Sequence, residues 1–386
     1  MYPIKKLQDC ATIIAGQSPE SKYYNSTGEG IPFFQGKADF GELYPKVRVY
    51  CSSPTKIAQY NDILLSVRAP VGPTNLSPGT VCIGRGLAAI RPDDSLDLKY
   101  LLYYFRYFET QLSAKGTGTT FKAINQKLIK NLEIPIPPLN EQSRIVSRID
   151  ELFSELDKAV DTLKTTKEQL EVYRQAVLKE IFDSVSTTSV HIKDVCLDIK
   201  VGIVIKPTQY YVSENGVPAF RNANVRRGYI NDTDWVMISK EGHQQNCRSE
   251  VHTNDVLISR SGANLGMASV VPARYNGYNA IDVVIAVPDI SKVIPEFLAQ
   301  YTNSPMGRAI VKKNERGAAQ GHLNVSAYAN LPIGVPDLQE QEKLVKQISD
   351  RLSVCDSIEK TVDTALAQAD AMRQSILKQA FEEGSV

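Results

Sequence analysis

The stretch that opens with PPLNEQSRIV at residues 137–146 and closes with RQAVLKEIF at 174–182 occurs twice in this chain. The second copy opens with PDLQEQEKLV at 336–345 and closes with RQSILKQAF at 373–381, and every matching residue lies 199 positions further on. A gapless repeat of this length indicates two tandem copies of one unit, because solenoids are built from much shorter repeats.

The repeat extends upstream more loosely. The sequence NDILLS at 61–66 corresponds to NDVLIS at 254–259, and IPFF at 31–34 corresponds to VPAF at 217–220. Each unit is therefore predicted to be a divergent globular domain followed by a constant helix. The predicted boundaries are residues 1–138 for the first domain, 139–185 for the first long helix, 186–337 for the second domain and 338–386 for the second long helix.

Within each constant segment, mostly apolar residues recur at alternating spacings of four and three, which is typical of a coiled coil. The first predicted seam contains Ile145, Ile149, Leu152, Leu156, Ala159, Leu163, Thr166, Leu170, Tyr173 and Val177. The second contains Leu344, Ile348, Arg351, Cys355, Ile358, Val362, Ala365, Ala369, Met372 and Ile376. A two-fold axis between duplicated helices predicts an antiparallel pair. Two alternative interpretations of the apolar repeat are an ordinary hydrophobic core and the seam of a homodimer.

Polar residues mark the start of each long helix. Asn140 is predicted to cap the first helix, with Glu141 at its positive end. Pro137 and Pro336 prevent helix upstream of the two starts. The second copy has Asp337 where the first has Pro138, so the two starts are expected to differ in detail.

The globular segments combine short strands with one helical stretch each, which predicts an α+β fold. Apolar runs at 63–67, 256–259 and 283–287 are bounded by Gly, Pro, Asn or Asp and favour buried strands. The stretches 100–105 and 297–301 favour helices. Each domain is long enough to bury its own core.

Composition excludes several classes of protein. The 386 residues carry a formal net charge of +1 and six scattered cysteines without a Cys-x-x-Cys pair. With no signal peptide or long apolar run, we expect a soluble cytoplasmic protein with reduced core thiols and no membrane association. His243 and Cys247 are too small a set to predict a metal site. Near-neutrality argues against a free-standing DNA-binding protein and fits one whose partners supply much of the phosphate contact.

Basic and amide side chains cluster on turn-rich stretches of both domains. Arg with Asn or Gln reads guanine and adenine edges in the major groove, and Lys beside Gly, Ser or Thr suits phosphates. The candidate DNA-binding residues are Gln35, Lys37, Arg68, Lys115, Thr117, Thr119, Lys122, Arg221, Asn222, Asn224, Arg226, Arg227, Arg260, Lys312, Lys313, Arg316, Gln320 and His322. Any one cluster alone has a simpler interpretation as a solvated surface. Gln35 and Arg221 follow the matching runs IPFF and VPAF, and this recurrence in both units favours DNA binding.

With its paired PxLxEQ entries, its NDILLS and NDVLIS strands and its two-unit layout, the chain resembles the specificity subunit of Type I restriction-modification systems over nearly its full length. The resemblance implies two mixed α/β target-recognition domains, each reading one half of a split asymmetric site in double-stranded DNA. It implies two conserved helices that form an antiparallel coiled coil and fix the distance between the half-sites, with a pseudo-two-fold internal repeat.

The resemblance also implies partners in a bacterial or archaeal cytoplasm. Two modification (methyltransferase) subunits would dock on the long helices, and restriction (motor and nuclease) subunits would join them. S-adenosylmethionine, ATP and magnesium would be used by those partners, and no cofactor by this chain. The candidate docking and coiled-coil residues are Leu139, Glu141, Gln142, Ile145, Ile149, Leu152, Leu156, Leu163, Leu170, Leu338, Glu340, Gln341, Leu344, Ile348, Ile358, Val362 and Ile376.

Catalytic motifs are absent from the sequence, which predicts a non-catalytic recognition subunit without catalytic or metal-binding residues. It lacks the Asn/Asp-Pro-Pro-Tyr/Phe motif of amino-methyltransferases and the Gly-x-x-x-x-Gly-Lys-Ser/Thr phosphate loop. Asp93, Asp97 and Lys99 resemble the acid and lysine set of a metal-dependent nuclease. The simpler interpretation is a turn with Asp97 at a helix start. Another alternative is a coiled-coil scaffold that assembles partners without reading DNA.

Overall fold

The computed structural model describes residues 2–116, 123–185, 187–309 and 322–383. The chain forms two compact units. Unit 1 comprises Met1–Leu163 and Thr364–Val386, and unit 2 comprises Lys164–Asp363. Each unit therefore combines one globular domain with a part of each long helix, and the units divide inside the helices rather than at their ends.

Unit 1 contains three sheets and two short helices in its described residues. Its strands are β1 (Ile4–Lys6), β2 (Ala11–Ala15), β3 (Tyr24–Asn25), β4 (Ile31–Phe34), β5 (Val49–Cys51), β6 (Ile57–Ala58), β7 (Ile63–Ser66), β8 (Thr74–Leu76), β9 (Val81–Ile83), β10 (Leu87–Pro92) and β11 (Glu133–Pro135). They pair in the orders β1-β11, β2-β10-β7-β8 and β3-β5-β4-β9-β6. The helices are α1 (Leu98–Ala114) and α2 (Gln126–Lys130), and the first long helix, α3 (Leu139–Asp183), begins here.

Unit 2 repeats this plan. Its strands are β12 (Ser189–His191), β13 (Cys196–Val201), β14 (Tyr211–Val212), β15 (Val217–Phe220), β16 (Val236–Ile238), β17 (Val256–Ser259), β18 (Ala268–Val270), β19 (Asn279–Ala280), β20 (Val283–Pro288) and β21 (Pro332–Gly334). The orders are β12-β21, β13-β20-β17-β18 and β14-β16-β15-β19. Its helices include α4 (Lys240–Gln245), α5 (Pro295–Asn303), α6 (Val325–Ala329) and the second long helix, α7 (Leu338–Lys378). The predicted α+β class and internal repeat are confirmed.

The NDILLS and NDVLIS runs form the central strands β7 and β17, which are buried along their whole length. In β7, Ile63 and Leu65 face the core under α1, whereas Leu64 faces the five-stranded sheet. Successive side chains of a strand point to opposite faces, so a strand buried on both faces needs a continuous apolar run. This requirement explains why both copies keep the run.

The Asn-Asp pair before each run forms a turn that starts the strand. Asn61 and Asn254 adopt φ angles of +65° and +74°, a region that Asn tolerates better than most residues. The next carboxylate, Asp62 or Asp255, accepts a hydrogen bond from the backbone N–H three residues earlier, at 2.8 Å in both units. The recurrence of Asn-Asp thus has a structural cause.

The prediction that Asn140 caps the first long helix is wrong. The helix begins at Leu139, and the carbonyl oxygen of Pro138 accepts hydrogen bonds from the N–H groups of Glu141 and Gln142. In the second copy, the carboxylate of Asp337 accepts a hydrogen bond from the N–H of Glu340 at 2.9 Å. The two starts therefore differ, as the Pro138 and Asp337 substitution suggested.

The two long helices run antiparallel within each unit. In unit 2, ion pairs join Lys167 to Asp363 at 2.7 Å, Arg174 to Asp356 at 2.6 Å and Glu180 to Arg351 at 3.0 Å, so the numbering rises along α3 as it falls along α7. In unit 1, residues near the end of α7 share a core cluster with residues near the start of α3. They are Leu377 and Ala380 with Ile145 and Ile149.

Four positions of the predicted seam are displaced by one residue. The positions at which Ala159, Tyr173, Ile358 and Met372 were expected are exposed, and the residue that follows each of them is the more buried one. The residues that face the partner helix there are Val160, Arg174, Glu359 and Arg373. Three of these are charged, and long charged side chains can bury their stems while their heads pair at the edge. Arg351, expected as a polar residue of the seam, reaches the partner helix, where its guanidinium pairs with Glu180 at 3.0 Å and lies 5.6 Å from the centroid of the Tyr173 ring. Leu352 packs against the core cluster of unit 2.

Candidate nucleic-acid interface

Three strands of unit 1, β4, β7 and β9, end at one edge. The N–H of Gly84 donates to the carbonyl oxygen of Phe34 at 2.8 Å, and the N–H of Val67 donates to that of Gly86 at 2.9 Å. These bonds bring together the segments that leave the three strands. Their exposed polar side chains form the first strand-end surface, which consists of Gln35, Arg68 and Arg85.

Short turns hold the backbone of this surface while its side chains project into solvent. The N–H of Gln35 donates to Asp39 at 2.8 Å, and the N–H of Arg85 donates to the hydroxyl of Ser18 at 3.2 Å. Arg68 forms an isolated bridge with Ala123. A fixed backbone that carries exposed amide and guanidinium groups is suited to hydrogen bonding with an external ligand.

Glycines allow the close approach of segments at this edge in both units. A Cβ atom added to Gly16 would lie 2.2 Å from the carbonyl oxygen of Gly84. At the equivalent place in unit 2, a Cβ atom on Gly202 would lie 2.4 Å from the carbonyl oxygen of Ala280. Both contacts are too short for any other residue without backbone movement, so the edge is built in the same way twice.

The equivalent edge of unit 2 carries a polar cluster around one carboxylate. One carboxylate oxygen of Asp282 accepts a hydrogen bond from Arg260 at 2.8 Å. The other lies 3.4 Å from the side chains of both Asn222 and Ser261, and 4.0 Å from the imidazole of His322. These five residues form the second strand-end surface. The arrangement brings together three candidate DNA-binding residues, Asn222, Arg260 and His322.

Further hydrogen bonds orient this cluster. The amide oxygen of Asn222 accepts from the backbone N–H of Arg260 at 2.6 Å and from the hydroxyl of Ser259 at 3.0 Å. The Nε of Arg260 donates to the carbonyl oxygen of Leu323 at 2.9 Å. Asn222 and Arg260 are therefore held in one geometry before any ligand arrives, which lowers the entropy cost of binding.

Four further candidates lie in the segment that follows β15, and their environments differ from the expectation. The side chain of Asn224 is fully buried and donates to the carbonyl oxygens of Asn231 at 3.2 Å and Thr233 at 3.0 Å, so it stabilises the loop and is not available to DNA. Arg221 pairs with Asp234 at 3.0 Å, Arg226 bonds to the carbonyl of Val225, and Arg227 forms an ion pair with Glu171 of α3.

Two lysine candidates are exposed, and the remaining candidates lie outside the described residues. Lys37 projects from the turn after β4, and the ammonium of Lys115 lies 5.1 Å from the centroid of the Phe108 ring at the end of α1. The candidates that lie outside the described residues are Thr117, Thr119, Lys122, Lys312, Lys313, Arg316 and Gln320.

Sequence reasoning missed three residues of the strand-end surfaces. Arg85, Ser261 and Asp282 were not among the candidates, although each lies within three residues of the end of a strand. Arg85 stands between Gly84 and Gly86, and this Gly-Arg-Gly turn after an apolar run is a signal that the sequence does contain. Asp282 was missed because a lone acid does not suggest a DNA contact.

Comparison with known proteins decides the family. The model of the Type I restriction modification DNA specificity domain matches residues 2–172 and again residues 178–368. The chain belongs to this family. It carries two copies of the specificity domain, in agreement with its two units and with the resemblance read from the sequence.

Individual relatives agree with this assignment. The chain is 42% identical over 167 residues to the putative type I restriction enzyme MjaX specificity subunit of Methanocaldococcus jannaschii, covering 43% of this chain and 38% of that one. It is 25% identical over 313 residues to the type I restriction enzyme EcoBI specificity subunit of Escherichia coli, covering 75% of this chain and 66% of that one. The chain thus spans less than two thirds of the length of either relative.

A solved structure gives a partial match. The HsdS subunit from Thermoanaerobacter tengcongensis is 50% identical in the aligned part, which covers 40% of this chain and 37% of that one, with a TM-score of 0.37.

Two predicted docking residues of the specificity-domain chain are internal braces. Gln142 and Gln341 are fully buried at equivalent positions near the starts of α3 and α7. The amide of Gln142 accepts from the N–H of Asp97 at 2.7 Å and donates to the carbonyl oxygens of Ser95 at 3.0 Å and Pro137 at 2.8 Å. Gln341 makes the same three bonds in unit 2, at 2.8–2.9 Å. Neither side chain is available to a partner.

Other docking candidates divide between surface and core. Leu139 is 49% exposed and Leu338 is 36% exposed at the two helix starts. Glu141 and Glu340 pair on the surface with Arg144 at 2.8 Å and Lys343 at 3.1 Å. The candidates that are buried are Ile145, Ile149, Leu344, Ile348 and Val362, and those that are partly buried are Leu152, Leu156, Leu163, Leu170 and Ile376. Ile358 is 41% exposed and lies outside the seam.

The nuclease-like set does not form a shared site. Asp97 caps α1 by accepting from the N–H of Tyr100 at 2.9 Å, which confirms the simpler interpretation. Asp93 accepts from the hydroxyl of Ser95 at 2.6 Å, and Lys99 pairs with Asp150 of α3 at 2.7 Å. Each residue thus has its own structural partner.

Other features of the described chain bear on the remaining predictions. Within the described ranges, no three His, Cys, Asp or Glu side chains are grouped so that they could hold a metal ion. No described helix has both the length and the apolar character needed to cross a bilayer. Four cysteines are buried, but Cys196 is half-buried and Cys247 is exposed, so the expectation of six core thiols is wrong for these two.

Proposed function

We propose that this chain is the DNA-reading subunit of a Type I restriction-modification complex. In this proposal, the strand-end surface of each unit reads one half of a split asymmetric site in double-stranded DNA. The long helices fix the spacing between the half-sites and dock the partner subunits. Membership of the specificity-domain family supports the proposal at its coarsest level.

One observation carries the reading role. The two units share their strand orders, except that β6 has no counterpart among the described strands of unit 2, and they share the close-packed edge, yet the side chains at that edge differ in chemistry. Unit 1 presents two guanidinium groups and one amide, whereas unit 2 presents an amide, a hydroxyl, a carboxylate, an imidazole and one guanidinium. Equivalent scaffolds with different polar groups are what two readers with different targets require.

The side chains suit base edges in the major groove. Arg68 and Arg85 carry the fork of donors that fits the two acceptors of guanine, and Gln35 carries the donor and acceptor pair that fits adenine. In unit 2, the amide of Asn222 is bonded to Ser259, Arg260 and Ser261 and orients the cluster, whereas Asp282 is an acceptor suited to the amino group of cytosine. Each well-formed bidentate pair discriminates against the wrong base by about 1–3 kcal/mol.

Partners would carry out the chemistry. We propose that two methyltransferase subunits dock on the long helices and flip the target adenine, using S-adenosylmethionine that this chain does not bind. Restriction subunits would supply the motor and nuclease with ATP and magnesium. The reading subunit itself is then non-catalytic. Exposed Leu139 and Leu338 are equivalent apolar positions available to two identical partners.

A domain exchange tests the reading role. Residues 186–337 are replaced by the corresponding segment of a relative that directs a different methylation motif, and the methylated sites of cells expressing the hybrid are mapped. The proposal predicts that one half of the motif changes while the other half and the methylation level persist. The matched control exchanges residues 2–138 and should change only the other half. Active methylation with both halves unchanged in either hybrid would contradict the proposal.

A further inference from the structure

A loop of unit 2 reaches from the second strand-end surface to the first long helix. It leaves β15 at Arg221 and returns at β16, and an isolated bridge between Val225 and Ile230 closes it. Its tip contains Arg227 and Gly228. Gly228 has a φ of +75°, and its N–H donates to the carbonyl oxygen of Ala268 at 2.9 Å. The tip is therefore fixed by the backbone rather than by the arginine side chain.

A second arginine, Arg308, lies near this tip, because the carbonyl oxygen of Ala268 accepts hydrogen bonds from both the N–H of Gly228 at 2.9 Å and the side chain of Asn303 at 2.8 Å. Arg227 forms an ion pair with Glu171 on α3. Burial, and secondarily the positive charge of Arg308, lower the pKa of Arg227 to about 10. Burial also lowers the pKa of Arg308. Two guanidinium groups thus lie in a partly desolvated place, and Glu171 pairs with only one of them in the described structure.

Donors remain without acceptors there. The Nε of Arg227 and the Nη1 of Arg308 are buried, and neither has a hydrogen-bond acceptor among the residues that the structure describes. A buried donor without a partner is costly, and more so when it is charged. The arrangement therefore lacks one anion with several acceptor oxygens.

We propose that Arg227 and Arg308 form an anion site on the flank of the first long helix that binds a phosphate group of the DNA backbone. The guanidinium fork matches phosphate oxygens, and Arg is favoured where such recognition occurs. The loop that carries Arg227 begins beside Asn222 of the second strand-end surface. A duplex bound at that surface would therefore lie near Arg227. Glu171 orients Arg227 in the free protein and competes with the phosphate for it.

This inference rests on the proposed reading function, and it assigns Arg227 a role other than base reading. A phosphate contact positions a protein on DNA without reading sequence, so its loss weakens binding to all sequences alike. It also releases fewer counterions, which lowers the slope of log affinity against log salt by about 0.9 per contact. These two signatures separate a phosphate site from a base contact.

The test uses the full chain assembled with its modification subunits. Affinity is measured at several salt concentrations for a duplex with the methylated motif and for a scrambled duplex. Arg227→Gln and Arg308→Gln are each expected to weaken both duplexes by the same factor and to lower the salt slope by up to about 0.9. Arg227→Lys keeps the charge and should keep most of the slope. Arg248→Gln, which alters an exposed arginine elsewhere in unit 2, is the matched control and should change neither quantity.

Glu171→Gln gives a prediction of the opposite sign. Removal of the competing carboxylate should strengthen binding to both duplexes and leave the recognised motif unchanged. If Glu171→Gln weakens binding, or if Arg227→Gln leaves the salt slope unaltered or weakens only the motif duplex, the phosphate site is wrong. Titration with inorganic phosphate separates the sources of the anion, because phosphate binding lost in Arg227→Gln with an unaltered DNA salt slope would indicate a free anion.

The outcome for the proposed function is read separately. If the wild-type complex does not distinguish the motif duplex from the scrambled duplex, the reading function fails. The salt slopes of the variants still decide the phosphate site in that case, because they do not depend on sequence discrimination.

Discussion

At the residue scale, the glutamine that recurs near the start of both long helices has an internal structural role. Gln142 and Gln341 end the two Glu-Gln pairs that mark the long helices, and each joins a helix start to the turn before a domain helix through three hydrogen bonds. Glutamine is suited to this position because one amide group supplies both an acceptor and two donors. Its recurrence thus reflects domain construction.

Replacement of this amide should destabilise one unit. Gln142→Ala removes three hydrogen bonds and leaves partly buried backbone groups without partners, so we expect the free energy of unfolding of unit 1 to fall by about 2–4 kcal/mol. Native-state hydrogen exchange can follow α1 and residues 139–163 of α3 separately from unit 2. Ser143→Ala, at the exposed neighbouring position, is the control. A loss below about 0.5 kcal/mol, the low end for a single hydrogen bond, would contradict the bracing role.

Residue identity alone showed the candidate surfaces only in part. Asn222, Arg260 and His322 were predicted and do lie together, because residues after equivalent strands meet at one edge. Asn224 was predicted on the same chemistry but is buried, since a short polar side chain can serve a turn as well as a ligand. The difference depends on tertiary contacts that local sequence does not encode.

At the element scale, several residues that are identical in the two long helices make equivalent contacts with the opposite copy. Arg174 of the first copy pairs with Asp356 of the second in unit 2, and Arg373 of the second pairs with Asp157 of the first in unit 1. The terminal phenylalanines behave in the same way. Phe182 packs on Phe297 and Tyr301, and Phe381 packs on Tyr100 and Tyr104.

These phenylalanines predict unequal effects of truncation. Phe182 is only 4% exposed, so Phe182→Ala should destabilise unit 2 by about 3–5 kcal/mol. Phe381 is partly exposed, and Phe381→Ala should cost unit 1 less. Urea unfolding with hydrogen exchange at α5 and α1 measures both effects. An equal or larger loss for Phe381→Ala would contradict the burial argument.

The existence and direction of the long helices could be predicted from the sequence, but four of their seam positions could not. The apolar positions that recur every seven residues, such as Ile348, Cys355 and Val362, are buried as predicted. The alternate positions hold Arg174, Glu359 and Arg373, whose charges made their apolar neighbours appear to be the better seam residues. Ion pairing across the helices supplied the information that hydrophobic periodicity lacks.

At the scale of the whole molecule, the duplication could be recognised from the sequence because the repeat of the long helices has no gaps. The equivalence of the domains was less readable, since insertions and deletions separate their motifs. The sheet orders restore it, and each strand of unit 2 has a counterpart in unit 1. The proposed function depends on this equivalence, because two readers must present their surfaces in the same way to identical partners.

The proposed spacing role of the helices predicts a dependence on helix length. One heptad inserted after Leu163 and another after Asp363 keeps the seam in phase and lengthens each helix by about 10 Å. At about 3.4 Å per base pair, the spacer of the methylated motif should grow by about three base pairs with both half-sites unchanged. Methylome mapping gives the result. A five-residue insertion is the control, because it breaks the phase and should prevent methylation.

The most direct test of the central claim is genome-wide mapping of methylated adenine by single-molecule sequencing. Cells that carry this chain and its neighbouring methyltransferase are compared with cells that lack only this chain. We predict one split motif that depends on this chain, with half-site centres about one helical turn apart. If no motif depends on the chain, although the methyltransferase is active with another specificity chain, the reading role is contradicted.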